Sequence, residues 1–344
     1  MTPLQQELLI ALVKVLVIFH ALLGLFSLMT YLERRMLAFM QFRLGPNRVG
    51  PMGLFQPIAD GIKLFFKEEM MPAGASRWLF VAAPAVAVIT AFLSMAVVPW
   101  GGPVHLAGRE ISLQIADLDV GILYMFAITS LGVYGIVLAG WSSNNKYTLM
   151  GGLRSSAQMF SYGLALGLSW VGVIMLASSF RISDIVASQQ GGFWNWNFFP
   201  TRQLLGFLVY VIAATAEVNR TPFDLAEAET ELVAGFHTEY SSMRFALLQM
   251  AEYVNMITVC AIGASVFFGG WLAPLPVLQS AFGVDLGLLW FLAKLACGLF
   301  FFVWLRGTLP RVRYDQLMHF GWKVLVPVAM LNIVGTAAVI AFFS

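Results

Sequence analysis

LLIALVKVLVIFHALLGLFSLMT, residues 8–30, carries only Lys14 and His20 as ionisable side chains. A helix needs about 20 apolar residues to cross a bilayer. The run is longer than the apolar part of a secretion signal and has no small-residue cleavage site. It therefore reads as a spanning helix that stays in place. Outward from it, seven further stretches reach spanning length: 78–100, 117–140, 155–178, 203–219, 243–271, 284–305 and 323–343. The stretch 203–219 is the shortest and the most interrupted by polar residues. The expected fold class is an all-α polytopic membrane protein, with about eight transmembrane helices in a single membrane domain over residues 1–344.

Composition points the same way. The chain is 59% hydrophobic and 11% charged, with mean hydropathy +0.80. A soluble domain has roughly 25% charged residues, so this chain cannot cover itself with a polar surface. A net charge of +2 gives no basic field for nucleic acid. Cys260 and Cys297 lie far apart in apolar segments, with no CxxC pair, and His20, His105, His237 and His319 are scattered. Metal, haem and iron–sulfur sites are not expected.

Basic residues set the orientation. With the N-terminus outside, the loops 31–77, 141–154, 217–244 and 306–323 face the cytoplasm and hold most of the Lys and Arg. The outer loops hold only Arg109, Arg181 and Arg202. The positive-inside rule then places both termini outside.

The loops 31–77 and 217–244 are the chemically rich ones. After Tyr31-Leu-Glu33-Arg34-Arg35 comes Arg43-Leu-Gly45-Pro46-Asn47-Arg48-Val-Gly50-Pro51-Met-Gly53, a turn-rich run that cannot continue a helix. From 54 to 69, Leu54, Ile58, Ile62 and Phe65 recur at helical spacing, while Asp60, Lys63 and Lys67 share another face. That pattern is an amphipathic interfacial helix. It serves either as an anchor with a solvated charged face or as the floor of a cavity open to the bilayer, the kind of site a lipid-tailed substrate needs.

The stretch 217–252 holds Glu217, Asp224, Glu227, Glu229, Glu231, Glu239 and Glu252, seven of the chain's 18 acids. Asp224 followed by Glu227 reads as a capping box, and Glu239 as a solvated residue. Glu227 and Glu231 would share a helix face, Glu229 lying opposite. Like charges at that spacing repel. Burial and repulsion together suit carboxylates to carrying protons. Glu217 and Glu252 lie within apolar helices, where a carboxylate is a functional candidate by default. Lys294, near the middle of its span, should pair with an acid, either structurally or in a proton path.

Both loops resemble a known family. The runs Glu33–Pro51 with Gln56-Pro57-Ile-Ala-Asp60-Gly-Ile-Lys63, Ser142–Tyr147 with Gly151–Arg154, Glu217–Tyr240, and Trp304–Met318 are similar to the quinone-chamber membrane subunit of NADH:quinone oxidoreductase, respiratory complex I. The resemblance implies a place at the joint between the redox arm and the proton-pumping arm, in a bacterial inner membrane. Quinone is the implied substrate. The implied partners are other membrane-arm and hydrophilic-arm subunits of complex I, quinone and lipid. Nothing is bound covalently, and neither FMN nor an iron–sulfur cluster is expected in this chain. By position, Glu33, Arg34, Arg35, Arg43, Arg48, Asp60, Lys63 and Asp224 would line or shape the quinone chamber. Glu217, Glu227, Glu229, Glu231, Glu252 and Lys294 would serve the proton path.

The chain departs from the family pattern after Ser161-Tyr162, where Gly163 stands in place of a common glutamate, and at Ala226, where proline is common. Alternative functions are the equivalent subunit of a membrane-bound hydrogenase or other donor-driven complex, a stand-alone ion transporter, and a structural anchor. A transporter would place its site in broken helices at mid-membrane. Here the chemistry lies in loops suited to docking.

Overall fold

A computed structural model describes residues 3–106, 109–226, 229–281 and 284–343. The first half runs α1 (Pro3–Met40), α2 (Gln56–Phe66), α3 (Arg77–Ser94), α4 (Gly121–Ser142), α5 (Lys146–Ala177) and α6 (Ile182–Ala187). The second runs α7 (Leu204–Glu217), α8 (Glu229–Leu232), α9 (Ser242–Phe267), α10 (Gly287–Thr308), α11 (Tyr314–Phe320) and α12 (Val326–Phe343). A π turn, Gly321–Leu325, joins α11 to α12 into one continuous rod. Two short antiparallel hairpins, Val104–Leu106 with Arg109–Ile111 and Ser280–Ala281 with Val284–Asp285, precede α4 and α10.

Among the described residues, seven helices are long and apolar enough to cross a membrane. The eighth expected span is α7, apolar but only 14 residues long. It stops at Glu217 because Asn219 takes a left-handed backbone (φ 52°) and Pro222 follows. The chain is a multi-pass all-α membrane protein.

Helix α9 is the hub. Val254, Ile257, Ala261, Ile262 and Phe267 are all buried, on every side of the helix. It packs against α1, α2, α3, α6, α7 and α10. A helix apolar all round and enclosed on all sides belongs at the centre of a bundle. By contrast α1 exposes Leu8, Leu12, Leu16 and Phe19, as a lipid-facing helix does. Small residues let neighbours approach: a Cβ on Gly135 of α4 would lie 2.9 Å from the Ala87 backbone nitrogen of α3.

The expected interfacial helix is α2, shorter at both ends than 54–69. Its apolar residues Ile58, Ile62, Phe65 and Phe66 are exposed, as an interfacial helix requires. It is tied to the start of α9: the Ser242 hydroxyl donates to Leu64 O at 2.9 Å, and just beyond α2 Arg244 pairs with Glu69 at 2.6 Å.

Candidate functional site

The first loop folds around Arg35. Its guanidinium donates to Met52 O at 2.6 Å, Tyr31 Oη at 3.1 Å and Pro46 O at 3.3 Å. Tyr31 Oη in turn donates to Met52 O at 2.9 Å. These bonds satisfy carbonyls that the Gly/Pro run cannot pair by itself. Gly53 is required here: it has φ 80°, and a Cβ would lie 2.3 Å from Pro46 O. Arg34 pairs with Asp60 at 2.5 Å, and Gln56 donates to the other Asp60 oxygen at 3.1 Å, which locks α2 to α1. Arg43 bonds its near neighbour Gln41 at 2.7 Å, and Arg43, Arg48 and Lys63 are exposed. The first-loop residues therefore divide. Arg34, Arg35 and Asp60 hold the loop's shape, while Arg43, Arg48 and Lys63 present charge outward.

Beside Arg34 in sequence lies a buried charge cluster. Glu33 is 3% exposed and accepts from Arg306 at the end of α10, and from Arg220 at 3.4 Å. Tyr253 of α9 also bonds Glu33, and the Arg220 guanidinium lies 4.3 Å from the Tyr253 ring centre. Burial opposes the charge on Arg220, but Glu33, Tyr253 and Glu252 outweigh it and raise its pKa above the ordinary arginine value. Two cations thus surround one buried anion, with Glu252 as a second anion nearby. Breaking such a pair by removing one partner costs about 3–5 kcal/mol.

A cleft of about 370 Å³ lies between α1 and α10. Its walls include Met29, Leu32, Met36, Leu299 and Val303. Leu32 precedes Glu33 in sequence, and Val303 lies one turn before Arg306. An apolar groove therefore approaches the charged cluster.

The acidic segment forms no long helix among the described residues. Asp224 does not open one. It accepts from Arg311 Nη2 at 2.8 Å, which ties the segment to the last loop. Glu231 accepts from Arg154 of α5 at 2.6 Å, and Glu239 accepts from Asn145 at 2.7 Å, so Glu239 is bonded to the protein and not simply solvated. Glu227 and the Glu229 side chain lie outside the described residues. Beside this segment Tyr240 stacks on Phe80, ring centres 4.1 Å apart, and burial pushes its pKa up to about 12. It therefore stays a neutral donor.

Glu217, at the end of α7, is 9% exposed, and its Oε2 has no hydrogen-bond partner. It faces Gly163: a Cβ built there would lie 3.5 Å from that oxygen.

Lys294 differs from expectation. It lies in the first half of α10, and backbone carbonyls receive it in place of an acid. Its ammonium donates to Phe268 O at 2.6 Å, Gly270 O at 2.8 Å and Leu272 O at 2.6 Å, and lies 4.1 Å from the Trp196 ring centre. An ammonium has three N–H donors, and the three carbonyls use them all. The turn after α9 does the work expected of a carboxylate.

Arg220, Arg306 and Tyr253 are functional candidates that sequence reasoning alone missed. A signal was present for two of them: Arg220 and Arg306 are cations at the ends of apolar segments, inside the family-like motifs. Among the described residues, no three His, Cys, Asp or Glu side chains converge as metal ligands.

Comparison with known proteins decides the family. The NADH dehydrogenase family model matches residues 13–337. The chain belongs to that family. It is 52% identical over 337 residues to an H-type subunit of NADH-quinone oxidoreductase from Geobacter metallireducens, covering 98% of each chain. It is 50% identical over 349 residues to the corresponding NADH-quinone oxidoreductase subunit of Koribacter versatilis, covering 97% of this chain and 98% of that one. A third relative of the same type, from Geobacter sulfurreducens, is 52% identical over 331 residues, 96% of each chain. With seven long apolar helices among its described residues, this family member is a membrane subunit of NADH-quinone oxidoreductase.

Proposed function

We propose that this chain forms much of the chamber in which a quinone headgroup is reduced, and that its acidic residues begin the path linking that reduction to proton movement. The observation that carries the reading is the buried Glu33–Arg220–Arg306 cluster. It joins the first loop, the acidic segment and the end of α10 in one place. A group that gains charge on reduction is best received where fixed cations already sit in a water-poor site. Glu252 and Glu217 supply carboxylates close to this junction, and Asp224, Glu227, Glu229 and Glu231 extend the acidic run.

The cleft between α1 and α10 offers an apolar approach to the same cluster, and suits a lipid-tailed substrate. The exposed Arg43, Arg48 and Lys63, with the exposed face of α2, suit docking to the other subunits of the enzyme at the membrane surface. Most Lys and Arg residues lie in the loops that carry this chemistry, so these loops face the cytoplasm of a bacterial inner membrane and both termini face outward. Electrons arrive from a partner subunit. Residues 1–344 act as one membrane domain, with 31–77 and 217–244 as its working loops.

The test is to assay inhibitor-sensitive NADH:quinone reduction and proton pumping in the assembled complex carrying the double substitution Glu227→Gln with Glu231→Gln. General acid–base roles are worth about 10²–10⁴-fold in rate. Both activities should fall while the complex stays assembled. Full coupled activity in the double variant would remove these acids from the mechanism.

A further inference from the structure

We infer that Gly163 makes a bound-water site against Glu217, and that this water is the group with which Glu217 exchanges its proton. The inference deepens the proposed function and rests on it for its meaning, but the site itself rests on geometry.

Glu217 is more than nine-tenths buried, and one carboxylate oxygen has no partner in the protein. A buried polar atom without a partner costs about 1–3 kcal/mol, so native proteins supply one, commonly an ordered water. The oxygen lies against Gly163, which has no side chain to fill the space. Outside the helix's own backbone, a Cβ on Gly163 would meet nothing within 4 Å except Glu217 Oε2 at 3.5 Å. Room and an unpartnered carboxylate oxygen therefore coincide.

Two more buried acceptors lack partners along the same α5–α7 seam: Gln158 Oε1 and Asn219 Oδ1. The Gln158 amide is pinned beside the end of α7, since its Nε2 donates to Ala216 O and to Phe223 O, both at 2.7 Å. Asn219 is held against Met159 of α5 at 3.6 Å. The seam is thus rich in oxygen acceptors that the protein leaves without donors. Water brings two donors and two acceptors. It can donate to Glu217 when the carboxyl is ionised and accept from it when protonated. A buried water needs roughly 30 Å³ and two to four polar partners, and a residue without a side chain provides the space.

Residue 163 then acts through its size. Gly163→Ala adds only an ordinary contact and should keep the site. Gly163→Leu should fill it. Gly163→Glu should replace the water with a second carboxyl able to bond Glu217 directly.

The experiment is infrared spectroscopy of the intact complex in H2O and D2O, with the Glu217 carboxyl band assigned by its loss in Glu217→Gln, alongside coupled activity. In the native chain and Gly163→Ala, the band should be that of a hydrogen-bonded carboxyl and should shift promptly in D2O. In Gly163→Leu it should move to the frequency of a free carboxyl and exchange slowly, and proton pumping should fall about tenfold, the scale of one lost hydrogen bond. Gly163→Glu should restore bonding and pumping. An unchanged Glu217 band and exchange rate in Gly163→Leu overturns the water site. Normal pumping in Glu217→Gln would instead remove Glu217 from the proton path, and the band shifts would still decide whether the water is there.

Discussion

Two regions at opposite ends of α9 handle buried charge in opposite ways. Past the helix's last turn, Lys294 has three carbonyls and an aromatic face, and every N–H is used. In its first half, Tyr253 joins a cluster whose anion, Glu33, is shared between two cations, and another buried carboxylate, Glu217, has an oxygen with no partner in the protein. A charge saturated by fixed backbone groups ties together the turn that supplies them. A charge shared unequally, or left incomplete, can respond when a substrate or a proton arrives. Burial alone does not separate the two cases, because Lys294 and Glu217 both look like proton-path residues in sequence. The partners separate them.

The largest effect that could break this contrast is expected at Glu33. Glu33→Gln leaves Arg220 and Arg306 facing each other without the anion between them. Removing one partner of a buried pair costs about 3–5 kcal/mol. Quinone reduction should fall about 10²-fold or more in whatever complex assembles. Arg306→Gln should be milder, since Arg220 still answers Glu33, and Arg306 is itself 42% exposed. If Arg306→Gln proves as damaging as Glu33→Gln, the two cations do not share the anion.

Next in size is Lys294→Met. It strands three carbonyls after α9, each worth about 1–3 kcal/mol if left dry. The complex should unfold at a lower temperature, while turnover per assembled complex stays near normal. Loss of pumping without loss of thermal stability would return Lys294 to the proton path and undo the contrast. Lys294→Arg is a useful companion. Its planar fork cannot aim three donors at the same three carbonyls, so it should recover only part of the stability.

The spans were legible because lipid imposes one rule on every exposed residue, and runs such as 8–30 obey it. The boundaries were less legible. Helix α5 begins at Lys146, well before the apolar stretch that starts at 155, because Asn145 caps it by accepting from Tyr147 N at 3.0 Å, and because Thr148 bonds Gly140 O at 3.1 Å. Those contacts, not apolar periodicity, stabilise its polar first turns. Glu33 and Asp60 were legible as candidates. The identity of the partners was not: Arg220 and Arg306 lie 187 and 273 residues from Glu33. Nothing local in the sequence announces such a pairing. The partner of Asp224 was hidden for the same reason, since Arg311 comes from the loop beyond α10, while Glu227, the other half of the expected capping box, lies outside the described residues. The partners of Lys294 were missed because they belong to a turn, and a turn's carbonyls carry no signature in side-chain chemistry.

The smallest expected effect belongs to Arg154 and Glu231, and it sharpens the contrast from the weak side. Their ion pair is short, 2.6 Å, but the side chains are 27% and 47% exposed. Pairs this open to solvent contribute about 0–1 kcal/mol. Arg154→Gln should therefore shift the unfolding temperature little. If Glu231 handles protons, losing Arg154 should instead lower coupled quinone reduction, because the carboxylate loses the group that positions it. Unchanged coupled activity in Arg154→Gln would place Glu231 with Lys294, among the charges that hold structure.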